Sequence, residues 1–267
     1  MTAAPAAGSP VLVRRNHGRG HSYTIDGVKV DGVTTILNAL PKQLKQWAAD
    51  TAANYAVEHW SELTEETLTK RLDRIRFAHR DVLSSAALRG TRIHGFGERL
   101  VAGEAVEIPE EYRGPAEAYA RFLDDWQIEP VAVETPVASV RHGYAGTADL
   151  WGTVGVRDGA TALIDLKTGK GVYDEVVLQL AAYRHAELWQ PDGPESETTM
   201  PTVDLVYVAH VLPDTVRMLP VRAGAEEFRQ FLYVQQTARW LARHGFKGDD
   251  PLIGDAVLPT DREEVPA

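Results

Sequence analysis

The chain has 267 residues, 44% of them hydrophobic and 25% charged, the balance of an ordinary globular protein with one substantial core. Its formal net charge of −10 argues against a protein that simply coats nucleic acid, and the absence of cysteine excludes disulfides, thiol catalysis and thiolate zinc sites. No apolar run reaches bilayer-spanning length, and the opening MTAAPAAGSPVLVRRNHG lacks the charged-then-apolar order of a secretory signal, so a cytoplasmic location away from membranes is expected.

In chain order, residues 1–15 read as a Pro/Ala-rich disordered tail, residues 16–248 as a single domain and residues 249–267 as a loose acidic end. Residues 23–36 contain an Asp-Gly hairpin pattern. Residues 41–100 read as mostly helical, with Leu44, Trp47, Ala48 and Tyr55 on a recurring face. Within that region the charge inverts, because Lys70, Arg71, Arg74, Arg76, Arg80, Arg89 and Arg92 are opposed only by Asp73 and Asp81. Phosphates would be expected along such a segment, the plainer alternative being a solvated helical face. Trp47, Trp60 and Phe77 are candidates for base stacking or for core packing. A helix is predicted over 110–126 and a strand over 131–140.

Residues 146–156, GTADLWGTVGV, and residues 161–167, TALIDLK, are both β-prone. Asp158-Gly159 between them signals a hairpin that brings Asp149 and Asp165 onto neighbouring strands. Period-two alternation puts Leu163, Asp165 and Lys167 on one strand face and Ala162, Ile164 and Leu166 on the other. A carboxylate buried among such neighbours costs roughly several kcal/mol unless it is paired or metal-bound. After Thr168-Gly169-Lys170-Gly171 a helix is predicted over 173–189, with Gln179 and Tyr183 four apart on one face. A surface loop over 191–201, strands over 203–211 and 215–221 and a helix over 225–243 complete the chain.

Taken together and in order, His94 in GTRIHGFGERL, Asp149 in GTADL, Asp165 and Lys167 in IDLKTGK, and Gln179 and Tyr183 in QLAAY resemble the RecB-type branch of the PD-(D/E)XK nuclease superfamily. The resemblance runs from Thr91 to Tyr183, about a third of the chain. The opening YTIDGVKVDGVTTIL and PKQLKQWAAD also resemble the front end of phage-encoded members. The resemblance implies an α/β fold with a restriction-endonuclease-like core, a central mixed β-sheet flanked by helices, with an N-terminal helical region over about 41–100. It also implies Mg²⁺ or Mn²⁺ held by His94, Asp149 and Asp165, with Lys167, Gln179 and Tyr183 completing the catalytic set. The lack of cysteine rules out the iron–sulfur cluster of some relatives.

The implied activity is metal-dependent hydrolysis of DNA phosphodiesters by an exonuclease of phage-type recombination, replication or repair. Implied partners are DNA and phage or host recombination or replication proteins, and an oligomer is compatible with the sequence. The alternative is a non-catalytic DNA-binding or assembly module that keeps the fold. Residue by residue, plainer readings remain: Asp165 and Lys167 as charges on an exposed strand, His94 as a helix residue paired with Glu98, and Glu98 and Glu134 in structural roles rather than as extra ligands. There is no G-x-x-x-x-G-K-[ST] loop, no H-E-x-x-H helix and no G-x-S-x-G elbow.

Overall fold

The computed structural model describes residues 10–17, 20–41, 44–101, 103–191 and 198–244. Most of the expected N-terminal tail and all of the expected acidic end lie outside those residues. A three-stranded antiparallel unit comes first: β1 (Leu12–His17), β2 (Gly20–Ile25) and β3 (Val28–Gly32). β1 begins inside the stretch expected to be tail. Leu12 is fully buried beside Tyr23, Ile25, Ala138 and Ala145, and that apolar burial holds the strand in place. The β2–β3 turn is Asp26-Gly27, with φ of 51° and 76°, the left-handed pair that a two-residue hairpin requires.

Helices follow: α1 (Val33–Leu37), α2 (Leu44–Glu58), α3 (Trp60–Thr64), the 34-residue α4 (Leu68–Val101) and α5 (Glu110–Asp125). α5 buries Tyr112, Ala116, Tyr119 and Phe122, one stripe at helical spacing, and carries Glu110 and Glu111 in its first turn, where the helix dipole favours acids. The strands β4 (Ile128–Ser139), β5 (Tyr144–Val154) and β6 (Ala160–Lys167) form an antiparallel run. The chain ends with α6 (Glu175–Arg184), β7 (Leu188–Trp189), β8 (Thr198–Thr199), β9 (Leu205–Val211), β10 (Val216–Pro220) and α7 (Ala225–His244). The helix predicted over 173–189 is therefore shorter. Leu188 and Trp189 are adjacent apolar residues that pack in different clusters, which a strand permits and one helix face does not.

The fold is α/β, with a mixed sheet in the order β10-β9-β6-β5-β4-β7-β8 and β3 joined to the start of β5. β6 and β9 run parallel and are connected through α6. On one face, α1, α6 and α7 cover Trp151 and Leu163 with Ile36, Leu180 and Phe231. On the other, α4 and α5 cover Ala162, Ile164 and Leu166 with Ile93, Tyr119 and Phe122. The alternation read from TALIDLK holds, and β6 is buried on both sides. Among the described residues, no helix is long and apolar enough to cross a membrane.

Candidate active site

The site forms where β5 changes partner. One edge of β5 pairs with β4 along its length; the other pairs with β3 at Tyr144 and Ala145, then with β6 from Leu150 onward. Between those pairings lie Gly146, Thr147, Ala148 and Asp149. Asp149 Oδ2 fills the gap by accepting the Leu166 backbone N–H at 2.7 Å. Gly146 is required here, because a Cβ would collide with the Tyr183 ring.

A second irregularity turns two carboxylates to the α4 face. Strict alternation would put Ala148 and Trp151 on opposite faces, yet both pack in the α6-side cluster, while Leu150 packs on the α4 side. On β4, Ala132 and Val137 share the α6-side cluster although they are five apart. The change of facing falls at Glu134, which has a φ of 49° and stands across from Asp149 by the register of Val133↔Leu150 and Thr135↔Ala148, while the pairing register itself shifts earlier, between Pro130 and Ala132. His94 meets them from α4. Gly97 allows that helix to sit close, since a Cβ there would be 3.2 Å from Tyr119 and 3.4 Å from Leu166.

His94, Glu134 and Asp149 each offer a ligand atom within 4.8 Å of the others, and His94 Nδ1 lies 3.7 Å from Asp149 Oδ2. Glu98 and Tyr119 line the same pocket. Burial, reinforced by Asp149, pushes the Glu134 carboxyl up to about 7, against the opposing pull of His94 and Arg14. Arg14, from β1, donates to the Glu134 carbonyl at 3.3 Å and lies 3.8 Å from its Oε2. Two part-buried carboxylates, one of them reluctant to ionise alone, with an imidazole beside them, form a donor set that suits a hard divalent cation.

Lys167, Gln179 and Tyr183 join Asp165 in a second cluster on the α6 side. Asp165 is 1% exposed. Its Oδ2 lies 2.5 Å from Lys167 Nζ without a hydrogen bond of good angle, and its Oδ1 accepts from Gln179 Nε2 at 2.8 Å. Gln179 also accepts from Lys167 at 3.4 Å and reaches the Tyr183 hydroxyl at 3.4 Å. Burial raises the Asp165 pKa and Lys167 pulls it back. Burial works to lower the Lys167 pKa, but Asp165 and Asp149 outweigh it and leave the ammonium above its ordinary value. His210, opposite Lys167 in the parallel register, donates Nε2–H to the Gly169 carbonyl at 2.8 Å and pins the turn after β6.

All six sequence-derived site residues thus lie around the fork, but the ion-sized cluster is not the His94–Asp149–Asp165 trio that the resemblance implies. Glu134, first expected to be structural, joins His94 and Asp149; Asp165 is outside that cluster because it keeps strict alternation while Asp149 does not. Pro130 and Pro136 within β4 were the available signal, since proline marks strand irregularity.

The expected basic track also divides. Arg71 donates to the Leu63, Thr64 and Glu66 carbonyls, closing the end of α3. Arg74 binds the Tyr55 hydroxyl, Glu62 and Glu66, and Arg92 binds the Tyr112 hydroxyl and Glu111. Arg76 and Arg80 instead flank the Phe77 ring, at 5.5 and 4.2 Å from its centroid, while Arg89 is exposed. No protein-family model matches this chain, and no curated protein matches it.

Proposed function

We propose that this protein hydrolyses DNA phosphodiester bonds with the help of Mg²⁺ or Mn²⁺, as a member of the RecB-type PD-(D/E)XK nucleases with a restriction-endonuclease-like core. The observation that carries this reading is the His94–Glu134–Asp149 cluster beside the Asp165–Lys167–Gln179 network, both at one fork in the sheet. His94, Glu134 and Asp149 would hold the ion, which when bound polarises a phosphate and lowers the pKa of water.

The remaining chemistry belongs to the chain's own side chains. Lys167, kept charged by Asp165 and Asp149, faces developing negative charge on the phosphate as a fixed cation. Gln179 ties Asp165, Lys167 and Tyr183 together, so the ammonium cannot swing freely. Hydrolysis forms a bond from water oxygen to phosphorus and breaks one ester bond, leaving a phosphate monoester and a hydroxyl that takes the proton. An exonuclease in phage-type recombination, replication or repair is the specific role we assign.

The test is a time course on end-labelled linear duplex, circular duplex and single-stranded DNA, with Mg²⁺, with Mn²⁺ and with excess EDTA. Cleavage of linear DNA that needs the ion, and is lost in Asp149→Asn, is expected. Robust digestion in EDTA refutes the metal mechanism. Binding without cleavage under every ion assigns the chain to the non-catalytic alternative.

A further inference from the structure

We propose that the face of α4 that carries the exposed Arg76, Arg80 and Leu83 and ends at the part-buried His94 is a DNA track leading into the pocket. The pocket end of this proposal rests on the nuclease reading above. Arg76 and His94 are 18 residues apart, five turns at about 3.6 residues per turn, so they stand on one line along the helix. Arg80 lies within about 40° of that line, whereas Arg71, Arg74, Arg89 and Arg92 lie about 140–160° away from it. The contacts agree with this phase, since Arg74 and Arg92 turn to α2, α3 and α5.

Arg76 and Arg80 are exposed, and neither has a carboxylate within ion-pair distance among the described residues. Each stacks on Phe77, which holds the guanidinium without neutralising it. Between Arg76 and His94 the acid on this helix is Asp81, about 140° off the line; Asp73 lies before the strip and Glu98 beyond the pocket. In a protein of net charge −10, two uncompensated arginines in line with a phosphodiester pocket match a polyanion. At about 1.5 Å per residue they stand roughly 21 and 27 Å from His94, or about six to eight base pairs at about 3.4 Å each.

The experiment measures binding by fluorescence anisotropy in EDTA over a range of NaCl. The probes are a 5′-labelled 24-base-pair duplex and a hairpin with a four-base-pair stem. Full-length wild-type protein is compared with the Arg76→Gln/Arg80→Gln double variant. For the long duplex the slope of log K against log[NaCl] should flatten by about 1.8, two phosphate contacts at about 0.9 each; for the short hairpin it should not change. An unchanged slope on the long duplex, or no DNA binding by the wild type, overturns the track. So does a wild-type dimer in sedimentation that the double variant dissolves, because Leu83, 42% exposed on the same strip, would then face a second copy. Cleavage assays on both proteins separate the two proposals: cleavage with an unchanged slope sinks the track alone. An arginine-dependent slope without cleavage under any ion sinks the nuclease reading alone.

Discussion

Replacing Glu134 by glutamine should stabilise the metal-free protein at alkaline pH while removing its response to divalent cations. The Glu134 carboxyl has an ordinary value of 4.5 and is raised to about 7 by burial and by Asp149. Between those values the folded state keeps a proton that the unfolded chain has lost, so stability falls as pH rises from 4.5 to 7 and the penalty is complete above 7. At about 1.4 kcal/mol per pH unit the penalty is about 3 kcal/mol. Glutamine keeps the shape and carries no charge, so Glu134→Gln relieves the penalty above pH 7 and has little to relieve at pH 4. The lost attraction to Arg14, 3.8 Å away, takes part of the gain back.

With about 2–4 °C of Tm per kcal/mol for a domain of this size, a rise of at least about 3 °C is expected at pH 8 in EDTA. Calorimetry at pH 4.5 and pH 8 reads it directly. Mn²⁺ at about 100 times Kd should add about 2.7 kcal/mol to the wild type and almost nothing to the variant. A variant no more stable than the wild type at pH 8 would show that ionising Glu134 carries no penalty, and one that Mn²⁺ protects equally well would show that it is not a ligand.

Lys167→Met should abolish cleavage while isothermal titration still finds Mn²⁺ binding near wild-type strength, since Lys167 lies outside the ligand cluster; loss of binding would move it into the metal site. Gly146→Ala should destabilise by about 1–3 kcal/mol in urea unfolding, because its methyl group must displace the buried Tyr183 ring. Tyr183→Phe keeps the ring and loses only a 3.4 Å contact from Gln179, so a cost below about 1 kcal/mol with slower cleavage is expected. Arg74→Ala should make the α2–α4 region more sensitive to protease and leave the salt slope of DNA binding unchanged, since its donors are directed to Tyr55, Glu62 and Glu66.

Local pattern made most of the elements legible. The Asp158-Gly159 signal placed Asp149 and Asp165 on neighbouring strands, and TALIDLK showed which side chains each face of β6 would bury. What the sequence obscured was long-range. β1 looked like tail because its flanks are Pro/Ala-rich; its ladder with β2 and the burial of Leu12 against β2, β4 and β5 make it a strand. α6 stops early because Trp189 finds Trp151 at 5.6 Å, a contact across 38 positions that no helical window contains. The basic run looked uniform as a charge count, yet Arg71, Arg74 and Arg92 fasten α2, α3 and α5, while helix phase puts Arg76 and Arg80 on the opposite side of α4.

The slip at Glu134 and Asp149 decides what kind of site the fork becomes. Had strict alternation continued from Val133 on β4 and from Leu150 on β5, both carboxylates would stand on the α6 face beside Asp165 and Lys167, crowding three acids onto one ammonium. His94, on the opposite face, would have no partner there. Glu134, in a left-handed conformation and held by Arg14 at its carbonyl, instead shares the α4 face with Asp149 across from it. Two go to His94, and one stays with the lysine. In the proposed mechanism that separation would give a cation and the Lys167 ammonium different carboxylates, so that neither competes with the other for the same one.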